Sequence, residues 1–204
     1  MRMFTEKEAE DVLEKEGFDV VKRAVIVASK EITLLMDRLS FPWAMKILSQ
    51  KIIHKKKQGG VVLGVQTIAQ AKEVVEQFRK FEGYEGVTVQ EMVKGDELIL
   101  GINKTPEFGM VIMLGKGGSK VEEEKDVSFR VLPITKADAK EMILDLRYSA
   151  VLKNKKDSLK LIEKNLLLLS SFATGNPSIA ELDINPLMVT DEHAWVVDAR
   201  ILFG

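Results

Sequence analysis

Apolar residues recur along this chain at two periods, and the switches between them mark out the elements. Ala9, Val12 and Leu13 fall at helical spacing behind Thr5 and Glu8, which have the Thr-x-x-Glu arrangement of a capping box, and Gly17 marks the stop. The spacing predicts a short amphipathic helix. Ala24 to Ala28 reads as a buried strand, and Glu31 to Leu39 has helical character until Ser40-Phe41-Pro42 breaks it. Trp43 to Leu48 and Val61 to Val65 read as strands on either side of a polar, lysine-rich stretch that ends in Gly59-Gly60. Ile68, Ala71, Val74, Val75 and Phe78 return to helical spacing within Thr67 to Phe81. Three strand-like runs follow, Val87 to Val93, Glu97 to Ile102 and Met110 to Leu114, and the short turns between them predict antiparallel pairing. Ala137 to Leu152 and Ser158 to Phe172 read as two helices joined by Lys153 to Asp157. Ile179 to Val189, interrupted by Pro186, and Ala194 to Ala199 read as two closing strands. The order predicts an α+β (α/β) fold with mixed sheets and no internal repeat or linker, so any division is into lobes of one unit.

Composition narrows the class. The 204 residues carry 30 Lys+Arg against 31 Asp+Glu, a formal net charge of −1 that argues against a nucleic-acid reader driven by bulk positive charge. Hydrophobic residues at 46% and charged residues at 30% give a packed core under a solvated surface. No apolar run approaches the ~20 residues that span a bilayer. The acidic, non-apolar N-terminus lacks a targeting pattern, which places the chain in the cytosol, away from membranes. The absence of cysteine removes disulfides, thiolate metal sites and a cysteine nucleophile, and together with dense Lys and Glu it fits a thermophile's composition.

Several residues carry candidate chemistry. Lys46 lies inside the apolar run Trp43 to Leu48, where a lysine either finds an anion or points to the open face of a half-buried strand. The loop after it, with Lys51, His54, Lys55, Lys56, Lys57, Gly59 and Gly60, offers cations and flexible N–H groups suited to a polyphosphate. It lacks Walker A spacing, and a solvated basic loop is the plainer alternative. His54 has no partner at metal-ligand spacing; between a lysine and a glycine pair, a neutral imidazole suits phosphoryl acceptance. Gly115-Lys116-Gly117-Gly118 is either a flexible connection or a place of close backbone approach to a ligand. On a strand, Glu181, Asp183 and Asn185 project from one face, and Asp198 follows in the next strand. Two adjacent strands could thus converge hard oxygen ligands of the kind magnesium takes when it carries a nucleotide's phosphates, an ordinary solvated face being the plainer alternative.

These motifs in order resemble the nucleotide-binding ATP-grasp (beta) subunit of ADP-forming acetyl-CoA and acyl-CoA synthetases, relatives of succinyl-CoA synthetase. The resemblance spans nearly the whole chain. It rests on Pro42-x-x-x-Lys46-Ile47, Ile53-His54-Lys55 with Gly59-Gly60-Val61, Val89-Gln90-Glu91-Met92-Val93, Glu97-Leu98-Ile99-x-Gly101, and Pro106-x-Phe108-Gly109. It continues through Gly115-x-Gly117-Gly118, Val121-Glu122, Lys125-Asp126-Val127-Ser128-Phe129-Arg130 and Glu181-Leu182-Asp183-Ile184-Asn185-Pro186-Leu187. It implies one ATP-grasp domain over 1–204, with lobes of about 20–92 and 93–204 clasping the nucleotide. Lys46 would hold the phosphates under the Gly59-Gly60 loop. Glu91, Met92 and Val93 would line the adenine with backbone hydrogen bonds, and Glu97 would reach the ribose or a cationic network. Asn185 and Asp198 would bind Mg2+, and His54 would help pass a phosphoryl group from a phosphohistidine on a CoA-binding alpha subunit to ADP. The same motifs suit two other classes: a nucleotide-binding regulatory or assembly subunit that transfers nothing, and an independent ATP-grasp carboxylate–amine ligase. The chain departs from the family's usual pattern at Lys56-Lys57-Gln58, where a small hydroxyl residue and an acid are common. It departs also at Lys116, Lys120, Glu123 and Glu124, where apolar residues are common, and across Lys153 to Asp157, which lacks a usual glycine-and-arginine turn.

Overall fold

The structure, a computed structural model, describes residues 1–49, 51–52, 55–118, 126–152 and 155–204. The chain divides into a smaller unit, Val21–Val93, and a larger one made of Met1–Val20 and Lys94–Gly204.

The smaller unit is an antiparallel sheet with helices on one face. Its strands are β3 (Arg23–Ile26), β4 (Trp43–Leu48), β5 (Val61–Val65) and β6 (Gly86–Glu91), in the order β3-β6-β4-β5. Along β4, Trp43, Met45 and Ile47 are fully buried against a cluster that includes Val74, Val75 and Phe78 of α2 (Ile68–Phe78) and Ile32 and Leu35. Period-two alternation in a strand therefore meets period-3.6 alternation in a helix. Thr67 caps α2, its side chain accepting from the Gln70 N–H at 3.2 Å. The segment expected to be helical over Glu31 to Leu39 is a 3-10 helix over Ser29–Leu35. So short a run, followed by turns and Pro42, settles into the tighter form used for short pieces, with Glu31 accepting from the Ala28 N–H at 3.0 Å.

The larger unit holds an eight-stranded sheet among the described residues. Its main path is β1 (Arg2–Met3), β12 (Ala199–Phe203), β10 (Ile179–Val189), β7 (Asp96–Thr105), β8 (Gly109–Lys116) and β9 (Val127–Val131). Off that path, β11 (Ala194–Val196) pairs with β10 and with β2 (Asp19–Val20). The expected pairing of consecutive strands holds for β7 with β8, joined register for register from Leu98–Lys116 to Thr105–Gly109. It does not hold for β6 with β7. The β6 strand pairs with β3 and β4, and the chain leaves that sheet at Glu91 to open a different one at Asp96. The core lies between the sheet face bearing Leu98, Leu100, Ile102, Ile112, Leu114, Leu182 and Ile184 and the helices α1 (Glu6–Lys15), α3 (Lys136–Asp145), α4 (Ser149–Leu152) and α5 (Lys156–Gly175). The run expected as one helix over Ala137 to Leu152 is divided between α3 and α4. Asp126 accepts from the N–H groups of Arg147 at 2.7 Å and Tyr148 at 2.9 Å, which turns the chain at Leu146. No helix among the described residues is long and apolar enough to cross a membrane.

Candidate functional site

In the smaller unit, Lys46 sits mid-strand on β4 with Val61 on one side and Thr88 on the other. It is on the face away from Met45 and Ile47, yet only 6% exposed, and its neighbours there include buried Thr88 and Gln90. A buried ammonium among polar side chains is what an anion-binding position requires, because burial in an apolar setting would discharge it. The hairpin leading back to β5 closes through Gly60, whose N–H donates to the Lys55 carbonyl at 2.7 Å and whose carbonyl accepts from the Ile47 N–H at 2.8 Å. A Cβ on Gly60 would lie 2.6 Å from Ile47 Cγ2, so glycine here is a packing requirement of β4. Gly59 has φ of +75° and is exposed. The Lys51 ammonium is committed to Glu82. His54 lies outside the described residues.

Glu91, Met92 and Val93 leave the end of β6. The Glu91 carboxylate accepts from the Ser40 N–H at 2.7 Å, its own N–H donates to the Lys22 carbonyl at 3.0 Å, and the Met92 N–H donates to the Pro42 carbonyl at 2.9 Å. Two of the three N–H groups therefore hold the segment to the sheet.

In the larger unit, β10 alternates as its sequence requires. Leu182 and Ile184 are fully buried, Glu181 and Asp183 are half-buried, and Asn185 is exposed. Asp183 stands between Gly101 on β7 and Arg200 on β12. Burial and the neighbouring Glu181 push its carboxyl above the ordinary aspartate range against the opposing pull of Arg200. The β10–β7 register slips between Ile184 and Leu187, where Pro186 has no N–H to give the ladder. At this bulge the Asn185 N–H donates to the Asp198 carbonyl at 3.0 Å, and the Val197 N–H donates to the Pro186 carbonyl at 3.1 Å. Asn185 and Asp198 are thereby held side by side, and the strand expected over Ala194 to Ala199 is interrupted at Val197 and Asp198. Glu97, also exposed, is the second residue of β7; its carbonyl accepts from the Gly117 N–H at 2.7 Å.

Both sheets and both sets of residues run through one sequence pattern: a family model described as an ATP-grasp domain matches residues 1–203. The chain belongs to the ATP-grasp family. It is 33% identical over 213 residues to the beta subunit of ADP-forming acetate–CoA ligase I of Pyrococcus furiosus, covering 98% of this chain and 92% of that one. It is 35% identical over 207 residues to the ADP-forming acetate–CoA ligase II of Archaeoglobus fulgidus, where 99% of this chain matches only 30% of the relative. Among solved structures it is similar to the dinucleotide forming acetyl-coenzyme A synthetase 1 of Ca. Korarchaeum cryptofilum, with a TM-score of 0.87 and 27% identity over 99% of this chain and 93% of that one. That structure is in complex with coenzyme A and Mg-AMPPCP, its phosphohistidine segment pointing towards the nucleotide binding site.

The ATP-grasp domain offers a magnesium ion few protein ligands. Among the described residues no group of three or more acidic or imidazole side chains is placed to hold a metal. Asn185 and Asp198 would bring one amide oxygen and one carboxylate, hard donors that would share the ion with a nucleotide's phosphates. That donor set fits magnesium carried by a nucleotide better than a metal caged by protein alone.

One constellation in the domain was not expected from the sequence. Asp96, at the start of β7, accepts from the Tyr148 hydroxyl and from the Lys155 ammonium, both at 2.7 Å, and the Lys116 ammonium lies 4.8 Å from the centre of the Tyr148 ring. Burial pushes the Tyr148 phenol up to about 12, helped by its bond to Asp96 and that residue's charge. Burial also pushes the Asp96 carboxyl upward, but the bonds from Lys155 and Tyr148 and the charges of Lys155 and Lys116 outweigh it and hold the group below its usual range. These four residues come from three separate segments, and no local spacing marks them.

Proposed function

We propose that this domain is the nucleotide-binding part of an ADP-forming acyl-CoA synthetase, the acetyl-CoA type, working in the cytosol with a CoA-binding alpha partner. The observation that carries the reading is Lys46, a lysine 6% exposed in mid-strand within a fold matched along its length to beta subunits of this reaction. Phosphoryl transfer needs positioning and charge neutralisation more than covalent help from the protein. Lys46 and the Gly59-Gly60 turn take the phosphates. The carbonyl edge of Glu91 and Met92, with Val93, takes the adenine, and Glu97 takes the sugar. Asn185 and Asp198 hold the magnesium, which neutralises phosphate charge. The nitrogen–phosphorus bond of the partner's phosphohistidine breaks as a phosphorus–oxygen bond forms to the terminal phosphate oxygen of ADP, yielding ATP and a free imidazole; synthesis of acyl-CoA runs the same steps in reverse. His54 is assigned to guide that transfer.

Calorimetric titration of the wild-type chain and Lys46→Ala with ATP and ADP, each with and without magnesium, tests the reading. Magnesium-dependent binding lost in the variant is expected, and equal binding by both would overturn the site. With the CoA-binding partner added, His54→Ala is expected to bind nucleotide normally and to stop phosphoryl exchange. Binding without exchange in the wild type would make the domain a regulatory subunit. Ligation of a carboxylate to an amine without CoA or partner would make it an independent ligase.

A further inference from the structure

Charge is spread unevenly along this chain. Residues 38–72 hold seven lysines and arginines and no Asp or Glu, while the whole chain has a formal net charge of −1, so every compensating acid lies outside that stretch. Within it, β4 and β5 form a hairpin in which Lys46 pairs with Val61. Lys55, Lys56 and Lys57 stand in the connecting turn, which is held by its backbone: the Gly59 N–H donates to the Lys56 carbonyl at 3.4 Å and the Gly60 N–H to the Lys55 carbonyl at 2.7 Å. Lys56 and Lys57 are exposed and form no ion pair among the described residues, whereas the ammonium of Lys51 is taken up by Glu82. We propose that Lys56 and Lys57 are an electrostatic entry for the nucleotide, drawing its phosphates to the hairpin that carries Lys46 and setting how fast it binds rather than how long it stays.

The division of labour follows from exposure. Lys46 is 6% exposed, so its ammonium meets an anion with little water between them. Lys56 and Lys57 remain in water on long flexible stems, where a static contact with a phosphate gains little. Their field still acts over the distance at which a polyanion approaches, and exposed charges at the rim of a site change the association rate and its salt dependence. A chain acidic outside residues 38–72 sharpens the effect, since it repels the same ligand elsewhere. The magnesium complex of ATP carries two negative charges and that of ADP one, so the triphosphate is drawn more strongly. With the two lysines ~10 Å from a doubly charged ligand, Coulomb attraction in water speeds association about fivefold at ~10 mM salt and by less than about twofold at ~0.5 M.

The inference rests on the nucleotide-binding reading, and rates separate the two. The magnesium complexes of fluorescent methylanthraniloyl-ATP and methylanthraniloyl-ADP are mixed with the wild-type chain in stopped flow across that range of salt. The same is done with the double variant Lys56→Gln, Lys57→Gln and with a control of equal charge change at two exposed lysines of the larger unit, Lys140→Gln, Lys164→Gln. Thermal unfolding checks that each variant folds. The Lys56/Lys57 variant is expected to slow association of the triphosphate about fivefold at ~10 mM salt, and of the diphosphate less, with dissociation unchanged and the difference vanishing at ~0.5 M. The control is expected to associate at the wild-type rate. Wild-type association by the Lys56/Lys57 variant at low salt would overturn the entry and leave nucleotide binding standing. Faster dissociation with unchanged association would overturn it in favour of a direct phosphate contact, and equal slowing by the control would overturn it in favour of net charge. No binding by the wild type would overturn both readings.

Discussion

The roles proposed for Lys46 on the phosphates and for Asp198 on magnesium rest on different charges, and substitutions would tell them apart. Lys46→Ala removes a cation from the phosphates whether or not magnesium is present, whereas Asp198→Asn is expected to weaken binding about tenfold with magnesium and to change metal-free binding little, read by calorimetry in both conditions. Gly60→Ala tests packing: a methyl group 2.6 Å from Ile47 Cγ2 is expected to destabilise the smaller unit by about 1–3 kcal/mol, measured by denaturant unfolding. Asp183 makes a pH prediction. Its raised carboxyl pKa means the folded chain holds that proton more tightly than the unfolded one, so its contribution to stability is greatest at acid pH and declines as pH rises through the shifted range. Asp183→Asn, which cannot ionise, is expected to be more stable than wild type at neutral pH, the gap closing towards acid pH. A gap independent of pH would remove burial of this charge as the cause. At this scale the sequence was readable wherever chemistry follows from near neighbours. The Thr5–Glu8 capping box is present in full, and Glu181, Asp183 and Asn185 lie along the alternating strand that their spacing describes. Lys116 was legible only as a charge in a glycine turn, because its meaning comes from Tyr148 and Asp96, each far from it in the chain.

Elements were legible to the extent that their own residues begin and end them. Thr135 and Asp138 start α3 by themselves, the Asp138 carboxylate accepting from the Thr135 N–H and hydroxyl at 2.7 Å, which keeps its pKa below the usual range. Thr135→Ala is expected to cost about 1 kcal/mol at neutral pH by thermal or denaturant unfolding. Part of that difference should disappear as pH falls through the lowered carboxyl pKa, where protonation removes the carboxylate half of the box in the wild type while the Asp138 N–H still donates to the Thr135 hydroxyl. The break between α3 and α4 was not legible from the apolar spacing, which runs on through Leu146. It is made by Asp126, a residue from another strand connection. Nor do short turns reveal that β6 and β7 part company, since a turn sequence states that the chain reverses but not which edge the next strand joins.

The two units have separate apolar clusters with no residue in common, and each carries one of the chain's two tryptophans, Trp43 in the smaller and Trp195 in the larger. Fluorescence of Trp195→Phe and Trp43→Phe is therefore expected to report two denaturant transitions with different midpoints; coincident midpoints would mean that the units unfold as one. The larger unit is assembled from both ends of the chain. Arg2 and Met3 pair with Phe203 and Leu202, and α1 packs on β12, so the smaller unit is an insertion between α1 and most of the sheet that shelters it. On a ribosome the inserted unit can close as soon as Val93 is clear of the exit tunnel, while the buried side of α1, with Ala9 and Leu13, lacks the strand it packs on most until Ala199 to Phe203 emerge. That apolar stripe is thus left without its β12 partner while Val21 to Asp198 are synthesised, a wait during which a nascent-chain chaperone could hold it.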